Sequence, residues 1–235
     1  MNNSNQESIK VDRARWPAWV HTIERVLKRD EHRRERRHGA AAMSPGLTYG
    51  RHFGPPLPDA AHAAVLILMV LPEESSGSEV QTLDLRVLLT VRAKHLKSHP
   101  GQVSFPGGRK EIDESLEDAA LREFEEELGI VADSQLLLGE MTPLFVYASN
   151  HYVQPFLGVT HHLPAVRPNL AEVESVIQFP MRMLFDSPAV PKATYTRGLA
   201  SWQAPTLHVE ETQVWGATAM MLGELATLLG LARDS

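Results

Sequence analysis

The sequence predicts a mixed β-sheet with helices packed on its faces. Apolar residues make up 43% of the 235 positions, enough for a sizeable core. Helical patterns stand near both ends and once in the middle, and short runs rich in Val, Ile and Leu fill the spaces between them. The resulting order is helix, strands, helix, strands, helix, with neighbouring runs spaced like antiparallel hairpins.

Each element has its own signal. Residues 1–12 are polar, "MNNSNQESIK" at the start, and are expected to be disordered. An amphipathic N-terminal helix follows. Trp16, Trp19, Val20, Ile23, Val26 and Leu27 recur at helical spacing, and Pro17 fits a first turn. It runs into the mixed-charge stretch "KRDEHRRERRH", read as a solvated helix end or as a basic surface for a phosphorylated ligand. "GAAAMSPG" and "RHFGPPLPDA" read as a Gly/Pro-rich linker, so 13–58 is set apart from a main domain at 59–235.

Ala64–Leu71 and Leu83–Val91 read as two strands around a long loop, "PEESSGSE". "KHLKSHPGQVSFPGG" is loop-like. "DESLEDAALREFEEELG" is helical, with a capping pair at Ser115 and Asp118 and a stop at Gly129. "QLLLGEM", "LFVYAS", "YVQPFLGVTHHL", "VESVIQFP" and "TLHVEE" read as strands, and "MRMLF" as one or two helical turns. "VWGATAMMLGELATLLGLA" has little charge and reads as a buried helix.

Composition excludes several classes. The net charge of -6 argues against broad nucleic-acid binding. With no cysteine there is no disulfide scaffold, zinc-thiolate site or thiol nucleophile. The N-terminus has no secretory apolar core, and the longest apolar run, Ala63–Leu71, is too short to span a bilayer. A cytoplasmic protein without a membrane role is expected.

The stretch "REFEEELG", Arg122–Gly129, crowds four glutamates into five positions. At about 100° per residue, Glu123, Glu126 and Glu127 share one arc beside the apolar arc of Ala120, Leu121, Phe124 and Leu128, and Glu125 points away. Carboxylates flanking a buried stripe lie at the rim of a cleft. Three of them suit a hard divalent cation, Mg²⁺ or Mn²⁺. Arg122 is placed to steer one carboxylate through a forked pair.

Read in full, "GRKEIDESLEDAALREFEEELGI" places Gly108, Glu114, Arg122–Glu123, Glu126–Glu127, Gly129 and Ile130 at the spacing of the Nudix box. The chain resembles the Nudix hydrolases. Phe124 is a mild departure, where that family usually carries a smaller aliphatic residue. The resemblance implies an α/β/α sandwich around a mixed sheet, and hydrolysis of a nucleoside diphosphate linked to another group. It implies metal ligation by Glu123, Glu126 and Glu127, with the Gly107 carbonyl as a further ligand. Glu114 would support from behind, and Arg122 would orient Glu123. The proton acceptor stays open among Glu123, Glu126 and the loop acid Glu172 in "NLAEVES".

The segment before the box, "LLTVRAKHLKSHPGQVSFPGG", resembles the extra motif of the coenzyme A pyrophosphatases. Leu88, Leu89, Thr90, Ala93, Gly101, Phe105, Pro106, Gly107 and Gly108 match it. Arg92 replaces a Thr, and Lys97 replaces an Arg, keeping charge but losing the fork. Arg92, Lys97 and His99, with Gly101, Phe105, Pro106 and Gly108, are the substrate-binding candidates this likeness implies. A coenzyme A-like nucleotide is the expected partner, and the resemblance is compatible with a homodimer. Two other readings stand beside it: a hydrolase of ADP-ribose, NADH or another nucleotide, and a non-catalytic nucleotide-binding regulator. Intact box acids speak against the last.

Overall fold

The computed structural model describes residues 7–46, 48, 50–72, 84–96, 99–186 and 190–233. Two helices open the chain, α1 (Ala18–Lys28) and α2 (Arg33–Ala42). The strands β1 (Ala61–Val70), β2 (Arg86–Arg92), β3 (Val103–Ser104) and β4 (Gly107–Arg109) lead to helix α3 (Leu116–Leu128). Then come β5 (Leu137–Glu140), β6 (Leu144–Val146), β7 (His151–Thr160) and β8 (Val173–Pro180). Two small antiparallel pairs follow, β9 (Lys192–Arg197) with β10 (Ala200–Pro205) and β11 (Leu207–Val209) with β12 (Thr212–Val214). Helix α4 (Gly216–Arg233) ends the described chain.

Strands β1 to β8 form one mixed sheet. Its centre is the parallel pair β1–β7, in register from Ala61 opposite His151 to Val70 opposite Thr160. The other pairings are antiparallel. β1 reads as a near-continuous apolar run because both of its faces are covered. Ala64, Leu66 and Leu68 pack with Ala119, Ala120, Phe124 and Leu128 of α3. Ala63, Ile67 and Met69 belong to the opposite core, with Val20, Ile23 and Leu27 of α1 and Leu222, Leu225 and Leu229 of α4. Helices on both faces make the expected sandwich.

Helix α3 begins and ends where its sequence says it should. Ser115 accepts from the Asp118 N–H, and Asp118 accepts from the Ser115 N–H in return. Gly129 takes φ 68°, and its N–H donates to the Glu125 carbonyl at 2.8 Å. A Cβ at Gly129 would also lie 2.8 Å from the Arg167 carbonyl oxygen.

Several expectations are corrected at the N-terminus. Of the segment expected to be disordered, residues 7–12 pack on the fold: Ile9 is buried and its N–H donates to the Val131 carbonyl at 3.0 Å. Residues 13–58 are not set apart. Val20, Ile23, Val26 and Leu27 belong to the same core as β1 and α4. "GAAA" is not linker but the end of α2. Gly39 allows α2 to touch α4 backbone to backbone: a Cβ there would lie 2.6 Å from the Gly223 carbonyl oxygen and collide with Thr227. The loop "PEESSGSE" falls largely outside the described residues. Val214 closes β12, so the last helix starts later than its apolar pattern suggests. The β9–β10 hairpin is not among the expected strands; its sequence carries only the short runs "ATYT" and "ASWQ" around Gly198, which takes φ 61° at the turn.

Candidate active site

The box folds as strand, loop and helix. β4 runs antiparallel to β1, and Gly107 takes φ 152° there. A Cβ on Gly107 would lie 2.6 Å from Val65 Cα, and one on Gly108 would collide with the Glu123 carboxylate. Both glycines thus let β4 lie flat between β1 and α3, which brings the strand backbone against the acids.

Arg122 is the hub. Its Nε and Nη2 donate to the two oxygens of Glu114 at 3.0 and 2.8 Å, a bidentate fork. Its Nη1 donates to Glu123 Oε1 at 3.1 Å and to Glu126 Oε2 at 3.0 Å, and Nη2 reaches the Arg109 carbonyl at 3.1 Å. The fork from Arg122 lowers the Glu114 carboxyl to about 2. The Glu111 N–H adds a 2.7 Å bond to Glu114 Oε1. Glu114 and Arg122 therefore lock the loop to the helix.

The three helix acids differ in setting. Glu127 is 2% exposed, and its Oε2 has no hydrogen-bond partner. Burial raises its carboxyl to about 8; the charge of Arg92 opposes this, while the charges of Glu123 and Glu172 add to it. Glu123 is half-buried and also raised, by burial first, against the pull of Arg122. Glu126 is the most exposed of the three, with 55% of its side chain open, and only Arg122 holds it inward. Glu172 comes from the loop before β8. Its charge adds to the rise at both Glu123 and Glu127, so it lies near the same cluster.

The residues before the box divide into two groups. Arg92, at the end of β2, sends its charge toward Glu127. His99 and Gly101 form a tight turn, with φ 54° and 69°; the Gly101 N–H donates to the Arg92 carbonyl at 3.0 Å, and His99 Nδ1 pairs with Gln102 Oε1 at 2.8 Å. Phe105 and Pro106 are corrected: they are not substrate contacts. Phe105 is buried in the core with Val91 and Val103, and Pro106 is buried, its carbonyl accepting from the Leu66 N–H at 2.9 Å. They fix the entry of β4. Lys97 lies outside the described residues.

The set fits a hard cation by chemistry. Its donors are all oxygen, and one of them, Glu127 Oε2, is buried without a donor. Glu123 and Glu126 are turned to Arg122, and among the described residues no three acids or histidines already stand close enough to hold a metal ion. No helix of the described residues is long and apolar enough to cross a membrane.

Comparison with known proteins gives this arrangement its family. The NUDIX domain model matches residues 61–192, more than half of the chain. An uncharacterized Nudix hydrolase NudL of Yersinia enterocolitica is 33% identical over 166 residues, covering 70% of this chain and 80% of its own. Nudix hydrolase 3 of Caenorhabditis elegans is 32% identical over 159 residues, covering 61% of this chain and 66% of its own. Among solved structures, a NUDIX hydrolase from Alicyclobacillus acidocaldarius aligns with a TM-score of 0.42 at 20% identity, covering 55% of this chain and 82% of that one. The matched residues contain both the glycine strand and the acid helix that Arg122 ties together, and the chain belongs to the Nudix hydrolases.

Proposed function

We propose that the protein hydrolyses the pyrophosphate bond of coenzyme A or acyl-coenzyme A, with water giving 3′,5′-ADP and 4′-phosphopantetheine or its acyl form. The observation that carries this reading is the segment Leu88–Gly108. It resembles the coenzyme A motif, with departures at Arg92 and Lys97, and it leads from β2 through the His99–Gly101 turn and β3 into the glycine strand under Glu123.

Nudix hydrolases generally use divalent metal ions. In this reading Glu123, Glu126 and Glu127, with the Gly107 carbonyl, hold Mg²⁺ or Mn²⁺. The bound ion supplies charge neutralisation at the phosphoryl oxygens and lowers the pKa of a water. Arg122 keeps Glu123 and Glu126 facing the cleft. The buried, donor-free Glu127 oxygen favours a cation beside it over a bare carboxylate. Glu172 takes the proton of the attacking water. Like Glu127 it is not bound by Arg122, and unlike Glu127 it sits on a loop and is only partly buried, within reach of a water. Arg92, beside Glu127, meets the anionic diphosphate. His99 and Lys97 are the candidates for the 3′-phosphate.

Incubating the protein with Mg²⁺ or Mn²⁺ and coenzyme A, followed by mass spectrometry, tests the substrate. Both products are expected. Intact coenzyme A beside rapidly cleaved ADP-ribose overturns the substrate and keeps the chemistry. That second reading is favoured by one observation: Arg92 and Lys97 stand where the coenzyme A motif has Thr and Arg.

A further inference from the structure

The Glu172 turn is strapped on two sides. On one side, the Arg167 N–H donates to the Leu128 carbonyl at 2.8 Å, and the Asn169 N–H to the Glu127 carbonyl at 2.9 Å. These bonds fasten the loop to the end of α3. On the other side, the Ala93 N–H donates to the Glu172 carbonyl at 2.8 Å, and His95 Nε2 donates to the Ala171 carbonyl at 3.1 Å. Those bonds fasten the loop to the segment leading into the His99–Gly101 turn. Lys94 adds an exposed ion pair to Glu174 at 2.7 Å.

Asn169 sits where the straps meet. Its carbonyl accepts from the N–H groups of both Glu172, at 2.9 Å, and Val173, at 2.8 Å. Its Oδ1 accepts from the Ala171 N–H at 3.2 Å, closing an Asx turn over the residue before Glu172. One exposed side chain thus helps set the backbone of Glu172 while its own N–H is bonded to the residue that carries the buried acid.

We infer that Asn169 is a positioning residue that aims Glu172 at the acid cluster, with His95 securing the same turn from the recognition segment. This rests on the reading of Glu172 as the proton acceptor. A loop acid has no helix to hold its direction. An acid displaced by about 1 Å loses on the order of 10²-fold in rate, so the turn chemistry matters to turnover. Removing the Oδ1 acceptor deletes the bond to the Ala171 N–H and loosens the turn, while the bonds to the Asn169 carbonyl stay and none of the reacting groups is touched.

The test is steady-state kinetics on the full chain with Mg²⁺ and coenzyme A, or ADP-ribose if coenzyme A is not cleaved. Glu172→Gln is expected to lower kcat by about 10²-fold. Asn169→Ala is expected to lower kcat by about tenfold with KM within about twofold, and Asn169→Asp, which keeps an acceptor, to recover most of it. The double variant Asn169→Ala/Glu172→Gln is expected to be no slower than Glu172→Gln alone. Unchanged kcat in Asn169→Ala, or losses that multiply in the double variant, overturns the inference and leaves the Glu172 reading standing. Full activity in Glu172→Gln overturns both. His95→Ala keeps the test open should Asn169→Ala not fold. His95 is exposed, and kcat is expected to fall there in the same direction and by less; unchanged kcat overturns the strap.

Discussion

Two buried glutamates stand on opposite faces of the sheet, and they are treated differently. Glu224, in α4, is 1% exposed and fully engaged. Its carboxylate accepts from the Thr142 hydroxyl at 2.8 Å and the Thr142 N–H at 3.1 and 3.2 Å, and it faces the buried Arg36 at 3.5 Å. Glu127, in α3, is as deeply buried, yet one of its oxygens has no donor at all. Burial raises both carboxyls. The contrast separates two uses of a buried acid. One is closed by the protein's own donors and ties α2, α4 and the end of β5 together. The other keeps one buried oxygen without a hydrogen-bond donor, which in the proposed function meets a cation.

The contrast is broken most sharply at Glu127. Glu127→Gln is expected to lower kcat/KM by about 10³-fold, roughly 4 kcal/mol of transition-state stabilisation, while the melting temperature holds or rises. Steady-state kinetics beside a thermal melt reads both. The opposite pattern is expected at Glu224. Glu224→Ala leaves Arg36 with Asp30 as its remaining ion-pair partner, at 2.6 Å, and removes the acceptor of the Thr142 hydroxyl and N–H; it should cost about 2–4 kcal/mol of stability by urea unfolding, with kcat/KM of the folded protein unchanged. Loss of activity without loss of stability there would erase the distinction.

Smaller effects sharpen it. Arg122→Lys keeps the charge but not the fork, and should lower kcat/KM by about 10- to 100-fold, partly recovered at higher Mg²⁺, which a metal titration measures. Gly39→Ala disturbs only the closed face, and should cost about 1–3 kcal/mol because α2 must move off α4. The last expectation concerns pH. A carboxyl raised on folding favours the acidic side: the Glu224 contribution is full below the ordinary glutamate range near 4.5 and is lost as pH rises through its folded value. Unfolding free energies measured from pH 4 upward should therefore show the wild type losing stability relative to Glu224→Gln as pH rises; parallel curves, or a relative gain by the wild type, would refute the titration.

Much of the site was legible because its signals are local. Ser115, Asp118 and Gly129 bound α3 by chemistry that acts within one turn, and the acids of that helix follow from its period. The pairing of β1 with β7 joins residues about 90 apart, and no short window carries that register. Glu125 and Glu126 show the limit of a helical wheel: Glu126 is the more exposed, and a hydrogen bond from Arg122, not its angle alone, turns it inward. Phe105 shows another. A residue in a recognition motif can be there to pack, and only its burial against Val91 and Val103 says so. Asn169 was missed because an Asx turn is common; what sets it apart is the neighbour whose N–H it holds.

The Gly39–Gly223 contact has a consequence for how the chain is made. α1 and α2 are synthesised well before α4, yet the apolar face they cover is completed by α4. At about 5–20 residues per second, Val20 and Ile23 wait on the order of ten seconds or more for their final neighbours. During that interval the nascent protein carries a greasy, half-finished surface. A shortage of chaperones during translation should therefore lower this enzyme's yield.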